Sequence, residues 1–195
     1  MDLTSGAPFW IVRDGLIHAY PRLDADIQCS TVVIGAGITG ALVAHHLIEA
    51  GVDTVIVDKR DVASGSTSAS TALIQYEIDV TLCDLADMIG RYNAERAYLV
   101  CRDAVDKLGK LALTTADKSG FKKKRSLYLA SSRHDRNVLR TEREMRRAIG
   151  LHVDWLDESD IAEEFSFKRP GALLSQDAAQ IDAYAFAHGL LENAS

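Results

Sequence analysis

Little in this 195-residue chain points to crosslinks, structural metals or nucleic acid. Cysteine is scarce: Cys29, Cys83 and Cys101 make an odd number and form no C-x-x-C pair. That spacing suggests neither a disulfide framework nor a zinc site, and it reads as buried free thiols in a reducing compartment. Basic residues are outnumbered, 22 Lys and Arg against 28 Asp and Glu, for a net charge of −6. A nucleic-acid binder would usually show a basic face instead. No apolar run approaches the ~20 residues of a membrane-spanning helix. The opening residues, MDLTSGAPFW, lack the basic start and apolar core of a secretory signal. A cytoplasmic protein with no transmembrane segment and no nucleic-acid partner is therefore expected. The composition that remains, 47% hydrophobic and 26% charged, is ordinary for a globular chain. Its length suffices for one sizeable domain, or for one domain and part of another.

The densest information lies between Thr31 and Asp58, TVVIGAGITGALVAHHLIEAGVDTVIVD. It reads as strand, glycine-rich turn, helix, strand and a terminal acid, with Gly35, Gly37 and Gly40 in the spacing G-x-G-x-x-G. Gly35 permits the tight turn, and Gly37 lets a pyrophosphate approach the backbone with no Cβ in the way. Gly40 lets the helix pack closely on the strands. The helix N-terminus aims its unpaired N–H groups and positive dipole end at the phosphates. Asp58, at the end of the second strand, is placed to accept hydrogen bonds from a ribose diol. The expected class is α/β, a Rossmann-like dinucleotide-binding βαβ unit with a parallel sheet, beside part of a mixed α+β substrate domain.

Around this unit the chain divides by pattern. Residues 1–28 form an irregular lead-in carrying Pro8 and Pro21. Phe9, Trp10, Ile11 and Val12 make a small apolar cluster expected to pack on the body. The first strand, 29–34, should be buried on both faces. A helix follows over 38–50, with Ala41, Ala44, His45 and Ile48 on adjoining turns of one side, Val43 and Leu47 beside them, and Gly51 as its stop. The second strand is 54–57, and small hydroxyl residues then crowd a loop at 64–71. A long helical region is expected over 82–113, burying Leu85, Ile89, Tyr92, Leu99, Val105 and Leu108. A basic turn at 122–125 leads into a strand at 126–130, then a helix at 133–149 ending on Gly150. LHVDWLD reads as a strand, DESDIAEEF as a short helix, GALLSQDAAQID as strand and turn, and 183–193 as a closing helix. The domain plan is thus 1–28 lead-in, 29–80 binding core and loop, 81–175 helical and mixed segment with part of a substrate or cap domain, and 176–195 return to the first domain.

Other features have plainer readings. His45 and His46 are adjacent on a helix and face different directions, which argues against a shared metal ion; no metal ligands are assigned. Lys122, Lys123, Lys124 and Arg125 read as a solvated turn rather than an anion grip. Lys59 and Arg60 could take the extra phosphate of NADP, but Asp58 would repel it. Gln75 and Tyr76 could line a pocket or simply pack. Read from composition alone, the hydroxyl-rich loop is a solvated turn. Catalytic residues are not assignable from spacing.

GAGITG, the strand-end acid, the GSTSASTA loop and the late QIDAYAFAHGLLENA together resemble the FAD-dependent D-amino-acid oxidase superfamily, over residues 29–195. That superfamily includes glycine oxidase, sarcosine oxidase and D-amino-acid dehydrogenase, with glycerol-3-phosphate and 2-hydroxyglutarate dehydrogenases as related branches. The resemblance implies that Gly35, Gly37, Ile38 and Thr39, with Gly40 behind them, hold the pyrophosphate of FAD. It implies that Asp58, here in place of the more usual glutamate, binds the adenosine ribose, with Lys59 or Arg60 beside the adenine. Ser66 and Thr67 would meet phosphate or ribityl oxygens, and Thr71, Ala72 and Leu73 would run past the isoalloxazine ring. No His or Cys in the loop is positioned for covalent flavin attachment.

The resemblance covers only the N-terminal half of such an enzyme, so a missing C-terminal half is an expected partner, and substrate-setting residues would lie there. The implied reaction is hydride removal from a C–H bond next to an amine or hydroxyl. The small-molecule substrate expected first is an amine or amino acid, and second a 2-hydroxy acid. Two alternatives stand beside it: an NAD-dependent dehydrogenase, which the hydroxyl-rich loop argues against, and a truncated non-catalytic cofactor-binding fragment.

Overall fold

The structure is a computed structural model that describes residues 6–115 and 119–193. The chain divides into two compact units: one of residues 1–72, 110–121 and 181–195, the other of residues 73–109 and 122–180.

The first unit is built on two parallel strands, β1 (Thr31–Ile34) and β2 (Thr54–Val57), paired from Thr31 opposite Thr54 to Ile34 opposite Val57. Parallel strands need a crossover, and helix α2 (Ile38–Glu49) supplies it. The lead-in contributes a short helix before them, α1 (Phe9–Asp14), which begins after Pro8, whose fixed φ suits a helix entry. Helix α7 (Ala183–Glu192) closes the unit and packs on α2. Ala41 and Ala44, both buried, give α2 a smooth face that allows close approach. From Ala183 to Leu191 every residue of α7 is buried, as expected of a helix that is apolar all round.

Three expectations are corrected here. Strand β1 begins at Thr31 rather than residue 29, and it is not buried on both faces. Its side chains alternate, and Val32 and Ile34 are 52% and 86% exposed. Helix α2 packs on this two-stranded layer, and Val32 and Ile34 stay open, while Val55 and Val57 opposite them are partly buried. The apolar cluster of the lead-in folds as α1 and is only half seated: Trp10 and Ile11 are partly buried, while Phe9 and Val12 stay exposed.

The second unit is a four-stranded antiparallel sheet with helices packed on it. Strand β6 (Gly171–Gln180) is its spine. One edge of β6 pairs with β4 (Lys122–Leu129), and the other with β5 (Val153–Asp157) and the short β3 (Leu73–Ile74). Helices α3 (Leu82–Ile89) and α5 (Asp135–Ala148) pack against each other, and α5 lies on β5 and β6. Tyr76, Leu82, Tyr98, Ala130, Leu139, Val153 and Leu173 form the centre of the core. Helix α6 (Glu158–Glu164) starts with a reciprocal cap, Asp157 accepting from the Asp160 N–H at 3.1 Å and Asp160 from the Asp157 N–H at 2.8 Å.

The long helical region is in fact two helices. Gly90, with φ +83°, separates α3 from α4 (Arg91–Ala112). The break turns Ile89 and Tyr92 outward, 46% and 75% exposed, where burial was expected; Leu85 and Val105 are buried as anticipated. The basic run is not a turn either. Lys122, Lys123, Lys124 and Arg125 form the first half of β4, whose outer edge has no strand beside it among the described residues. Lysines on such an edge discourage pairing with other chains. Two of the four pair locally, Lys123 with Asp106 and Arg125 with Glu164 at 2.5 Å.

One buried polar group organises this core. The carboxylate of Glu142, fully buried on α5, accepts from the N–H groups of Leu82 (2.8 Å) and Cys83 (2.9 Å) and from Arg146 Nε (2.6 Å). Thr81 Oγ1 takes the next N–H, that of Asp84, at 3.2 Å. The exposed donors at the start of α3 are thereby satisfied. Arg146, equally buried, lies over the rings of Tyr76 and Tyr98, 5.7 and 5.3 Å from their centroids. Burial pulls its guanidinium down, but the Glu142 charge more than offsets this and holds it above its ordinary value. Burial, with Glu142 close by, pushes the Cys83 thiol up to about 12, which favours its protonated form.

Candidate functional site

The glycine turn between β1 and α2 has the form its spacing predicts. Gly35 adopts φ +107°, a conformation open to glycine and strained for other residues, and its N–H donates to the Val57 carbonyl at 2.7 Å. Gly40 is required more sharply than expected, and by a different neighbour. A Cβ there would stand 1.8 Å from the Gly35 carbonyl oxygen and 3.5 Å from Ile56 Cδ1. The turn's own carbonyl excludes a side chain first, and the strand only second. At Gly37 a Cβ would come within 3.1 Å of Thr67 Oγ1.

Helix α2 makes its first main-chain bond from the Ala41 N–H to the Gly37 carbonyl, 2.9 Å. The N–H groups of Thr39 and Gly40 precede it, and both residues line a cleft of about 350 Å³ with Val33, Ile34, Gly35, Gly37, Ile38, Val43, Ser66 and Thr67. The cleft combines a helix N-terminus, glycines that admit a close ligand, two hydroxyl side chains and an apolar wall. That combination suits a phosphate-bearing cofactor with an extended apolar part.

The hydroxyl-rich loop is more ordered than a solvated turn. Ser66–Ala69 form one turn of 3-10 helix, with Thr67 and Ser68 buried. Thr67 Oγ1 accepts the Ile38 N–H at 3.0 Å, so the loop caps the helix that opens the cleft. Trp10 Nε1 donates to the Ser70 carbonyl at 2.8 Å, which ties α1 to the same loop. Two alanines with positive φ bracket it, Ala63 at 56° and Ala72 at 54°. The Ala63 N–H donates to the Ala36 carbonyl at 2.9 Å, and the Ala72 carbonyl accepts from Ile181 at 3.1 Å. Nothing in the identity of Ala63, Ala72 or Trp10 announced these roles; each depends on a partner far along the chain.

The acid after β2 is also engaged. Asp58 Oδ2 accepts the Ala36 N–H at 2.8 Å, and Oδ1 accepts the Arg60 N–H at 3.0 Å. Lys59, Arg60 and Ser66 lie at the surface, as does Thr71. Leu73, in the second unit, is exposed and pairs with Gln180. Tyr76 is a core residue, hydrogen-bonded to Ser175, while Gln75 is exposed. The QID segment proves to be a helix start: Asp182 Oδ1 accepts the Ala185 N–H at 2.9 Å and the other carboxylate oxygen pairs with Arg13. Among the described residues no helix is long and apolar enough to cross a membrane, and no His, Cys, Asp and Glu cluster is fit to hold a metal ion.

Comparison with known proteins agrees with this geometry. A relative named for a Rieske 2Fe-2S iron-sulfur centre, YhfW of Bacillus subtilis (strain 168), is 25% identical over 177 residues, 90% of this chain and 34% of that protein. The structure is similar to L-proline dehydrogenase from P. horikoshii, with TM-score 0.70 and 19% identity, covering 87% of this chain and 42% of that one. It is also similar to glycine oxidase from Bacillus cereus ATCC 14579, with TM-score 0.64 and 20% identity, covering 86% and 44%. The chain thus spans about a third of the curated relative and under half of the two enzymes. At these identities the solved structures speak for the fold, the Rossmann-like α/β class anticipated from the glycine spacing. The family model for FAD-dependent oxidoreductases (DAO) matches residues 30–195, nearly the whole chain, which therefore belongs to that family and has FAD as its cofactor.

Proposed function

We propose that this chain forms the FAD-holding part of an oxidoreductase that removes hydride from a C–H bond next to an amine. The observation that carries the proposal is the glycine turn, with the helix N-terminus and the capped hydroxyl loop gathered around one cleft. The N–H groups of Thr39 and Gly40, beside Gly35, Gly37 and Ile38, would hold pyrophosphate oxygens. Thr67 takes the Ile38 N–H on its oxygen, which leaves its proton to donate to a ligand oxygen. Ser66 would act beside it, Asp58 would meet the adenosine ribose, and Lys59 or Arg60 the adenine end. Thr71 and Ala72, with Leu73 next along the chain, would run near the flavin ring. The bound flavin supplies the hydride acceptor, and the protein supplies its seat and orientation.

An amino acid or amine is favoured as substrate over a 2-hydroxy acid. The likeness to glycine oxidase, L-proline dehydrogenase and L-amino acid deaminase supports that order. A C-terminal portion from the remaining length of such enzymes would complete the substrate site. The test is a visible absorption spectrum of the purified chain with and without FAD. Flavin bands at one equivalent support the proposal; a folded chain that stays colourless overturns it. In a protein that carries this chain together with that C-terminal portion, anaerobic bleaching by glycine or L-proline, but not by glycerophosphate, would support the substrate order, and the reverse would overturn it. For the electron acceptor, the relative named for a Rieske centre supports an iron–sulfur carrier over oxygen. Reoxidation by a one-electron carrier faster than by air would bear this out.

A further inference from the structure

The acid at the end of β2 is ordinarily considered for its reach toward a ribose, yet both of its oxygens already hold main-chain groups. Oδ2 accepts from Ala36 at 2.8 Å and Oδ1 from Arg60 at 3.0 Å. Ala36 is the residue between the first two glycines, and it is 4% exposed. Its carbonyl is held as well, by the Ala63 N–H at 2.9 Å. The peptide units on both sides of Ala36 are therefore oriented by groups outside the turn. Gly35 on one side and Gly37 on the other are the least restricted residues in the chain, so a turn made of them has little stiffness of its own.

We propose that Asp58 is a positioning residue: its carboxylate braces the glycine turn through the Ala36 N–H and sets the turn's shape before any cofactor arrives. This inference rests on the reading of the turn as the FAD pyrophosphate seat and deepens it. Bonds to a charged acceptor are the stronger kind, and a carboxylate has about four lone-pair positions, so bracing and ribose binding can coexist. The aspartate is one methylene shorter than glutamate, which keeps its oxygens close to the turn. A turn shaped in advance loses less freedom when ligand binds, and that raises affinity without a new contact. The Gly35 N–H bond to Val57 does not replace this brace, because it continues the strand pairing and leaves the Ala36 peptide unheld.

The experiment is residue-resolved amide hydrogen exchange on the chain without FAD, comparing the native protein with Asp58→Ala and Asp58→Asn. The Ala36 amide should exchange about 10- to 100-fold faster in Asp58→Ala, the range expected for losing a bond to a charged acceptor. Amides of α7 should be unchanged. Asp58→Asn, whose side-chain carbonyl can still accept from Ala36, should recover part of the protection. It also serves if the alanine variant fails to fold, since loss of charge alone should still speed Ala36 exchange severalfold. An Ala36 amide equally protected in the native and Asn forms, or in the native and Ala forms, overturns the brace. An FAD titration of the native chain, run separately, tests the cofactor reading. Failure to bind would sink that reading and leave the exchange result to stand or fall alone.

Discussion

Replacing Gly40 by alanine asks the most of the candidate site for the smallest chemical change. The added Cβ would sit 1.8 Å from the Gly35 carbonyl oxygen, where real Cβ atoms essentially never come under 3.0 Å. The obstacle is backbone, so no rotamer change relieves it. The helix start and the turn must part by more than an ångström. Overpacking of this kind costs about 1–3 kcal/mol of stability, and occasionally more. The cost to binding should be larger in proportion, because the displaced groups are the ones that line the cleft. A misplacement of about 1 Å can cost roughly 100-fold in a site that depends on geometry. The assay is an FAD titration by visible absorbance, with thermal denaturation of each variant alongside. Gly51→Ala is the control. It places a Cβ at a strained positive φ of 75°, which Gly40 does not have, but in open space, so it should lose stability while binding FAD normally. A Gly40→Ala protein that binds FAD within about threefold of the native chain would refute the role given to the close approach.

Three further outcomes follow from the packing. Glu142→Ala should destabilise the second unit by about 3–5 kcal/mol in urea unfolding, since it leaves two α3 N–H groups without their acceptor and the buried Arg146 with only the longer pair to Glu77, 3.4 Å. The double variant Glu142→Leu with Arg146→Met removes both charges of the pair but takes away the partner of Glu77, so it should recover only part of the loss; no recovery at all would mean that the Arg146 charge is not the cause. Burial, with His18 nearby, holds the His188 imidazole below its ordinary value of 6.5. The unfolded chain therefore takes up a proton before the folded one does. This contribution to stability is complete above about pH 6.5 and shrinks as pH falls toward the folded value. His188→Gln should flatten that part of the curve, and identical slopes would contradict the assignment. Gly171→Ala would put a Cβ 2.4 Å from the Trp155 ring, which Arg140 covers at 4.8 Å from its centroid. It should cost about 1–3 kcal/mol and shift tryptophan fluorescence; an unchanged spectrum would argue against the contact.

What could be read along the chain was whatever depends on near neighbours. The βαβ core is of this kind: glycine spacing, an apolar strand on each side and a helix between them need only residues 31–58 to be recognised. The residues expected at the pyrophosphate end, Gly35, Gly37, Ile38, Thr39 and Gly40, do gather at one cleft with Ser66 and Thr67. The remainder was settled by groups that meet only after folding. Trp10 and Ser70 are 60 positions apart, and Glu142 and Leu82 likewise. Glu142 and Arg146 look like an exposed pair on a polar helix until α3 covers them. The basic run at 122–125 becomes strand because β6 offers it a partner, and Ile89 and Tyr92 face outward because Gly90 breaks the helix between them. Local sequence thus determined where the glycine turn lies and what bends it. Tertiary structure decided what holds it in shape, because hydrogen bonds and burial depend on distance in space, which separation along the chain does not record.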